Sequence, residues 1–179
     1  MRFDVMPVVT EKQIIEVEEA ANHVWHNYYK DIFSPEQIRY MLEKYQSREA
    51  LKNQMSQGYI YYMLLADEKL AGYMCVLTQS DYVFLARLYI KAEYRRQGLA
   101  KRTIAHLDSI YANPELGFNH VKKMRLRVER QNNFAINVYE HLGFYRLKSV
   151  DTDIGNGFIC KEYVMERIIP MYKGNHYGK

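Results

Sequence analysis

A transition from strand to helix in the middle of the chain limits the possible folds more than any other feature. Tyr82–Ile90 is rich in aromatic and branched residues and predicts a strand, and a basic loop follows it. Gly98 then opens a helix that we expect to end near Tyr111, and Met124–Val128 alternates as the next strand. A strand, a helix and a strand in this order predict one parallel crossover in the middle of the molecule.

Shorter signals before and after this crossover complete the layout. Three capping residues, Thr10, Ser34 and Ser47, predict three helices in the first part of the chain. Asn132–Leu142 predicts another helix, which Gly143 ends. The other expected strands are Phe3–Val9, Tyr59–Ala66, Leu70–Leu77, Phe144–Val150 and Phe158–Arg167. The sequence therefore predicts a mixed α/β fold, with a ligand cleft where the crossover leaves the carboxyl end of its first strand.

The size and composition of the chain exclude several classes of protein. The chain has 179 residues, 48% of them hydrophobic, which is enough to bury a core, and we expect one domain with a frayed tail at Tyr172–Lys179. No apolar run approaches the roughly 20 residues of a transmembrane helix, and residues 1–4 lack the pattern of a secretory signal. Cys75 and Cys160 match no metal or redox spacing, so we expect buried thiols in strands, no metal and a cytoplasmic location.

Net charge gives a weaker indication about partners. The chain carries 25 basic and 21 acidic side chains, a balance of +4 with histidine neutral. This charge helps to attract a polyanionic small molecule, but it is too small and too dispersed for a nucleic-acid-binding surface. We therefore expect neither a nucleic acid nor a membrane as partner.

The loop before the central helix has the composition of an anion-binding turn. Successive backbone N–H groups at a helix start, with the positive end of the helix dipole, can hold a phosphate. Gly98 and Ala100 let the backbone approach it closely, and Arg95 and Arg96 add positive charge. The segment is not a P-loop, because the Gly-Lys-Ser/Thr ending is missing, and only one glycine of a dinucleotide fingerprint is present. The alternative is a charged loop whose glycine serves only the turn.

Two sequence motifs, one in this loop and one downstream of it, match the signature of a known family. Residues 95–100 read RRQGLA and fit the pattern R/Q-x-x-G-x-G/A, while residues 132–144 read NNFAINVYEHLGF and fit N-x-x-A-x-x-x-Y-x-x-x-G-F. The chain thus resembles the GNAT superfamily of acetyl-CoA-dependent N-acetyltransferases, over about residues 3–169, and is similar to bacterial polyamine and small-amine acetyltransferases. The resemblance implies the GNAT fold: a mostly antiparallel, twisted sheet of about seven strands, with a splayed parallel pair in the middle and flanking helices.

The resemblance also implies acetyl-CoA as co-substrate and assigns residues to it. Leu88 and Ile90 would present backbone groups to the pantetheine arm, beside a bulge that splays their strand from Met124–Val128. The expected acetyl-CoA residues are Leu88, Tyr89, Ile90, Arg95, Arg96, Gln97, Gly98, Leu99, Ala100, Lys101, Asn132 and Tyr139. Ala92 stands where the family usually has a proline, so the loop loses a fixed φ angle but keeps its backbone contacts.

Tyr139 is the expected catalytic acid. When an amine attacks the thioester, the coenzyme leaves as a thiolate, and a phenol with a reference pKa of about 10 can give it a proton or a hydrogen bond. Neither cysteine has an evident activating partner, so we expect direct attack by the amine in a ternary complex. The alternative role for Tyr139 is a core aromatic on the inner face of its helix.

The sequence leaves the general base open. Several similar enzymes carry a glutamate on the strand before the phosphate loop, but the corresponding region here has Ala86, which cannot accept a proton. Proton removal would then go through water to Glu129, to His26 or to a carboxylate of the last hairpin, or the amine would arrive already neutral. Each of these residues also has a structural or solvated alternative.

The expected acceptor side combines aromatic and acidic residues from the first helices and the last hairpin. Its candidate residues are Trp25, His26, Tyr29, Asp151 and Asp153. Aromatic walls with a few carboxylates suit a small cationic amine or a polyamine. The alternatives are core packing and turn formation by these residues, a protein or peptide as the acceptor, and a non-catalytic acyl-CoA-binding module. GNAT proteins are often dimers, so the resemblance also implies a homodimer.

Overall fold

Alternating apolar residues build one seven-stranded sheet. The computed structural model describes residues 1–171, and the expected frayed tail at Tyr172–Lys179 lies outside the described residues. The strands are β1 (Phe3–Pro7), β2 (Ile60–Ala66), β3 (Lys69–Thr78), β4 (Tyr82–Ile90), β5 (Lys123–Glu129), β6 (Tyr145–Gly155) and β7 (Phe158–Ile168). Their order is β1-β2-β3-β4-β5-β7-β6, and every neighbouring pair is antiparallel except β4 and β5. The predicted mixed α/β fold with one central parallel crossover is confirmed.

Side-chain caps start the first three helices where the sequence predicts them. The helices are α1 (Glu11–Tyr28), α2 (Pro35–Gln46), α3 (Arg48–Ser56), α4 (Leu99–Tyr111) and α5 (Asn133–His141). Thr10 and Gln13 form a complete capping box, and Ser34 and Ser47 each accept a backbone N–H of the first turn. None of these five helices is long and apolar enough to cross a lipid bilayer.

The helices divide between the two faces of the sheet. Helices α1, α2 and α3 cover one face, where Val17 and Leu51 pack with the buried Tyr61 and Tyr73 of the sheet. Helices α4 and α5 cover the other face over a separate apolar cluster, which includes Leu64, Met74, Leu107, Met124 and Met165. Cys75 and Cys160 are free thiols buried within strands, as predicted. The sheet is thus the middle layer, and a cleft in it opens toward both helix layers.

A bulge in β4 separates the parallel strands. Cys75 of β3 faces Arg87, whereas the next residue, Val76, faces Leu85, so Ala86 is the extra residue of a β-bulge. The pairing of β4 with β5 covers only residues 82–85, and β5 stays paired with β7 along its whole length. The second half of β4 therefore leaves β5, which opens the middle of the sheet.

The last hairpin is longer than the sequence predicts. The expected strand ends at Val150, but β6 continues to Gly155, so Asp151 and Asp153 belong to the strand rather than to a turn. The reversal is confined to Asn156 and Gly157, whose φ angles of +56° and +77° fit the Asn-Gly hairpin signal. The turn takes only two residues, so the preceding residues are free to pair with β7.

Gly72 provides a test of the close packing that supports β4. A Cβ atom at Gly72 would lie 2.2 Å from the carbonyl oxygen of Tyr89, which is backbone and cannot turn aside. We expect Gly72→Ala to lower the free energy of unfolding by about 2–3 kcal/mol, because strands β3 and β4 must move apart. Denaturant unfolding measures this change.

Gly117→Ala is the matched control for that experiment. Its φ of +76° makes alanine strained, but nothing lies within 4 Å of the added Cβ. We expect a cost of about 1 kcal/mol from backbone strain alone. An equal loss of stability in the two variants would show that the close approach at Gly72 is unimportant.

Candidate functional site

The main cleft occupies the gap that the bulge leaves in the sheet. It has a volume of about 970 Å³ and extends from the start of α4, past the second half of β4, to the ends of α2 and α3. Leu88, Tyr89 and Ile90 all line it. Beyond Leu85 the edge of β4 that faces β5 has no strand partner, so backbone groups there are available to an extended ligand.

The start of α4 forms one end of the cleft. Gly98, with φ of +77°, is the N-cap residue, and no side chain caps the first N–H groups of the helix. These N–H groups and the helix dipole form an anion-binding position. Five of the residues predicted to cradle the pyrophosphate line this end: Arg95, Arg96, Gly98, Leu99 and Ala100. Lys101, another of the expected acetyl-CoA residues, lines it as well.

Two predicted loop contacts have a different local role. The Gln97 side chain donates a hydrogen bond to the carbonyl oxygen of Glu93 at 2.9 Å and does not line the cleft. Arg95 donates from Nε to the carbonyl oxygen of Ile90 at 3.0 Å, and its guanidinium lies over the ring of Tyr28 at 4.7 Å. Arg95 is therefore held against the wall of the cleft and fixes the loop to the end of β4.

Asn132 connects α5 with α1 beside the cleft. Its Oδ1 caps α5 by accepting from Ala135 N–H at 3.1 Å, and it also accepts from the hydroxyl of Tyr28 at 3.0 Å. The side chain lines the cleft although the residue is only 6% exposed. Within residues 1–171 no hydrogen bond engages its Nδ2 atom, so this donor is the part of Asn132 that a ligand can use.

Four tyrosines surround the middle of the cleft. Tyr28, Tyr29, Tyr89 and Tyr139 all line it, and the hydroxyls of Tyr29 and Tyr89 lie 3.3 Å apart. Burial raises the pKa of Tyr139 above its usual value, and the neighbouring Tyr28 and Tyr89 raise it further. Burial likewise raises the pKa of Tyr89 to about 12, although Arg87 opposes this shift. The four phenols are therefore protonated at neutral pH and can donate hydrogen bonds.

Two carboxylates line the side of the cleft that faces α1–α3. Glu129 accepts a hydrogen bond from the backbone N–H of Lys161 at 3.1 Å, and Glu162 faces it across β5 and β7. Burial raises the pKa of both carboxyl groups. Arg127 lies 3.7 Å from Glu162, and its positive charge opposes the rise in the pKa of Glu162. Within residues 1–171 no three His, Cys, Asp or Glu side chains form a group that could hold a metal ion.

The structure brings only some of the expected acceptor residues to the cleft. Trp25 and Tyr29 line it, whereas the exposed His26 turns back and places Nδ1 2.9 Å from the carbonyl oxygen of Asn22. Asp151 pairs with Arg130 outside the cleft, and Asp153 accepts from the N–H of Gly155. The two aspartates were expected to line the acceptor side, but the longer β6 places them outside the cleft lining. In a strand successive side chains point to opposite faces, so Thr152 and Ile154 line the cleft instead.

Sequence reasoning missed four charged residues of the cleft lining, Lys44, Arg87, Arg127 and Glu162. Glu162 lies on β7, which carries other charged residues, whereas Arg87 is the one charged residue of β4, a strand that is otherwise apolar and aromatic. A charged residue within such a strand costs free energy unless it is paired or has a function. That contrast could have marked Arg87, but only the register of the sheet shows that Arg87 and Glu162 line the same cleft.

Comparisons with known proteins agree with this geometry. Residues 18–144 match the model of the acetyltransferase (GNAT) family. The chain is 30% identical to spermidine N(1)-acetyltransferase of Thermoplasma acidophilum over 149 residues, which are 80% of this chain and 87% of the relative. It is also 28% identical to the ribosomal protein bS18 alanine N-acetyltransferase of Escherichia coli. That match spans 98 residues, or 55% of this chain and 63% of the relative.

Solved structures show the same fold. The PaiA N-acetyltransferase of Thermoplasma acidophilum, solved in complex with coenzyme A, has a TM-score of 0.73 and 24% identity, with 94% of this chain and 99% of that chain covered. The ribosomal-protein-S18-alanine N-acetyltransferase of Escherichia coli has a TM-score of 0.67 and 19% identity, with 99% and 100% covered. The family match spans well over half of the chain. The chain therefore belongs to the acetyltransferase (GNAT) family.

Proposed function

We propose that this acyltransferase moves the acetyl group of acetyl-CoA to a primary amine by direct attack within a ternary complex. One observation carries the proposal: a single cleft joins an uncapped helix start, an unpaired strand edge and a buried tyrosine hydroxyl. A helix start binds a diphosphate, a strand edge binds the amides of an extended arm, and a phenol serves a leaving thiolate. Acetyl-CoA contains all three of these groups in one molecule.

The acetyl-CoA would lie along the cleft with its diphosphate at the start of α4. The N–H groups after Gly98 would bind the diphosphate, with Arg96 and Lys101 at the rim. The pantetheine arm would follow the free edge of β4 at Leu88 and Ile90. This orientation brings the thioester to the bulge, because the arm runs back along the strand from the loop.

The tyrosine hydroxyl would serve the leaving group as a hydrogen-bond donor. The N–C bond forms as the C–S bond breaks, and the coenzyme leaves as a thiolate. A thiol has a reference pKa of about 8.5, and burial holds the pKa of Tyr139 above that of an ordinary phenol. Complete transfer of the Tyr139 proton to the thiolate is therefore uphill, and stabilisation by a hydrogen bond is the role that fits.

The thiols of the protein do not suit an acyl-enzyme route. Burial raises the pKa of Cys75 to about 12 and that of Cys160 to about 12, so almost none of either thiol is ionised at neutral pH. The thiolate is the nucleophilic form. This property supports direct attack by the amine.

Glu129 is the group that we propose as proton acceptor, directly or through a water molecule. It lines the cleft on the α1–α3 side, and the pKa of its carboxyl is raised by burial. A raised pKa makes a carboxylate a better proton acceptor near neutral pH. Glu162 lies opposite, but Arg127 pairs with it and reduces its basicity.

The similarity to a spermidine acetyltransferase supports a polyamine as a first acceptor to assay, and the similarity to an S18-alanine acetyltransferase supports a peptide N-terminus. Both are primary amines, so both fit direct attack. The charge of Arg87 in the acceptor side of the cleft weighs against a purely cationic acceptor.

Binding of acetyl-CoA tests the cofactor part of the proposal through two variants of Gly98. Both alanine and glutamate are strained at a φ of +77°, but only glutamate adds a negative charge at the diphosphate position. We expect titration calorimetry to give one site per chain, and Gly98→Glu to bind acetyl-CoA roughly tenfold or more weakly than Gly98→Ala, because like charges repel. Equal affinities would remove the helix start from the binding site. A folded wild-type protein that does not bind acetyl-CoA would overturn the proposal as a whole.

The role of Tyr139 predicts a loss of turnover without a loss of cofactor affinity. We expect Tyr139→Phe to lower kcat roughly 10- to 100-fold, since the thiolate loses its donor, while the Kd for acetyl-CoA stays within twofold. Tyr111→Phe is the matched control, because the Tyr111 hydroxyl bonds to Thr78 at 2.7 Å, away from the cleft. Full activity of Tyr139→Phe would leave this residue with a packing role only.

The proposed base predicts the pH dependence of the rate. Only the ionised carboxylate of Glu129 accepts a proton, so kcat should rise with pH through the pKa of that group. Burial raises this pKa, which places the acidic limb above the ordinary value for glutamate of about 4.3. We expect Glu129→Gln to lose the limb and most of the activity, and Glu162→Gln to keep the limb. A profile of Glu129→Gln that follows the wild type would exclude Glu129 as the base.

A further inference from the structure

Arg87 is a charged residue in the cleft that the proposed chemistry does not use. It follows the bulge on β4, and its side chain lies on the α1–α3 side among Tyr61, Tyr73 and Tyr89, whose phenols are neutral. Within residues 1–171 Arg87 forms no salt bridge, although the carboxylate of Glu162 is close enough for the charge of Arg87 to lower the pKa of that carboxyl. A guanidinium in such surroundings is costly unless it is paired, so its position calls for an anion.

The hydrogen bonds of Arg87 leave one of its donors unused. Nη1 donates to the carbonyl oxygen of Ala86 at 3.1 Å, and Nη2 donates to Oε1 of Gln54 at 3.3 Å. Nε is buried and has no hydrogen-bond partner within the described residues. Both accepting oxygens are neutral, so none of these contacts balances the charge of the guanidinium.

A second unused donor lies in the same part of the cleft. Gln46, at the end of α2, is 1% exposed and lines the cleft. Its Oε1 accepts from the hydroxyl of Tyr73 at 3.1 Å, whereas its Nε2 has no partner within residues 1–171. The indole of Trp25, which also lines the cleft, lies beside the hydroxyl of Tyr73.

Tyr73 brings these groups into one region. Its hydroxyl bonds to Gln46, and although burial raises its pKa, the positive charge of Arg87 and the indole of Trp25 both act on it to lower that pKa. Two N–H donors without an acceptor in the described residues, Nε of Arg87 and Nε2 of Gln46, thus lie at one wall of the cleft. A carboxylate has only acceptor oxygens, and it can pair with the donors of a guanidinium in a bidentate manner.

The charges on the opposite side of the cleft favour an amine at some distance from this wall. Glu129 and Glu162 lie on β5 and β7, across the gap from Arg87 on β4. Arg127 pairs with Glu162, so Glu129 is the carboxylate of this pair without a salt bridge in the described residues. A cationic amine suits that side, and a second ammonium group placed at Arg87 would meet a like charge. The two sides together therefore match a molecule that carries an amine at one end and an anion at the other.

We propose that the acceptor is a small amine that carries a carboxylate, and that Arg87 and Gln46 form the subsite for this carboxylate. This inference rests on the proposed acetyl transfer and defines its substrate class. Arg87 would bind the carboxylate through the part of its guanidinium that lines the cleft, and Gln46 would supply a further N–H donor from Nε2. The amine end would point to the thioester and to Glu129.

Matched amines test this inference with the wild-type enzyme. Each set contains three amines with the same number of carbons, whose ends opposite the amino group are a carboxylate, a methyl group and a second amine. The five-carbon set is 5-aminopentanoate, pentylamine and 1,5-diaminopentane, and sets of three to six carbons cover different distances. We expect the amino acid of at least one set to exceed both partners in kcat/KM by about 10- to 100-fold, the range for hydrogen bonds to a charged group. Equal or better turnover of the alkylamine or diamine in every set would overturn the carboxylate subsite while leaving acetyl transfer intact.

Variants locate the preference at Arg87. Arg87→Gln should raise the KM of the amino acid and so remove most of its advantage in kcat/KM over the other amines. Arg87→Lys should keep part of that advantage, because lysine retains the positive charge but lacks the planar guanidinium. Arg146→Gln removes an exposed arginine that pairs with Glu140 outside the cleft, and it should leave the preference unchanged. A preference that persists in Arg87→Gln would overturn the assignment.

A binding measurement separates this inference from the proposed function. Calorimetric titration of the coenzyme A-bound protein with the same amines needs no turnover. Tighter binding of the amino acid than of the alkylamine, without acetylation of any amine, would support the subsite and overturn the transfer reaction. If amines are acetylated but the amino acid shows no advantage in binding or in kcat/KM, the transfer reaction is supported and the carboxylate subsite is overturned.

Discussion

The short parallel pairing between β4 and β5 is the constraint on which the site depends. Only residues 82–85 of β4 pair with β5, and the bulge at Ala86 turns the rest of the strand away. On its other side β4 stays paired with β3 through Ile90, where Gly72 allows the two backbones to approach closely. The strand is therefore rigid on one edge and free on the other. A free backbone edge in the middle of a sheet binds an extended ligand without losing the core on either face.

The cleft uses neutral phenols where most sites for charged ligands use ions. The chain has 17 tyrosines, and four of them meet at the middle of the cleft. Burial raises the pKa of each of the four, so their hydroxyls supply hydrogen bonds and add no charge. Because the phenols are neutral, the electrostatic potential on the α1–α3 side of the cleft is set by its few charged groups. In such surroundings an unpaired guanidinium has a strong effect on which ligands can enter.

The two halves of the site differ in how far the sequence could predict them. The half that we propose for acetyl-CoA is formed by one contiguous loop and helix start, together with the end of the preceding strand, so a linear motif predicts it. Even there Gln97 turns away to Glu93, because its side chain finds a backbone acceptor within its own loop. The half that we propose for the acceptor is assembled from α1, α2, α3, β4, β5, β6 and β7. No spacing along the chain identifies such a set, which is why His26, Asp151 and Asp153 were expected there and Arg87 and Glu162 were not.

The sequence by itself determined the elements, their order and the family. Caps at Thr10, Ser34 and Ser47 and the glycine before α4 act within a few residues, so their effects can be predicted locally. Only the tertiary structure decided which side chains line the cleft. A strand places alternate residues on opposite faces, and a bulge such as that at Ala86 shifts this alternation by one residue. The choice between Asp153 and Ile154, or between Ala86 and Arg87, therefore depends on pairing with distant strands.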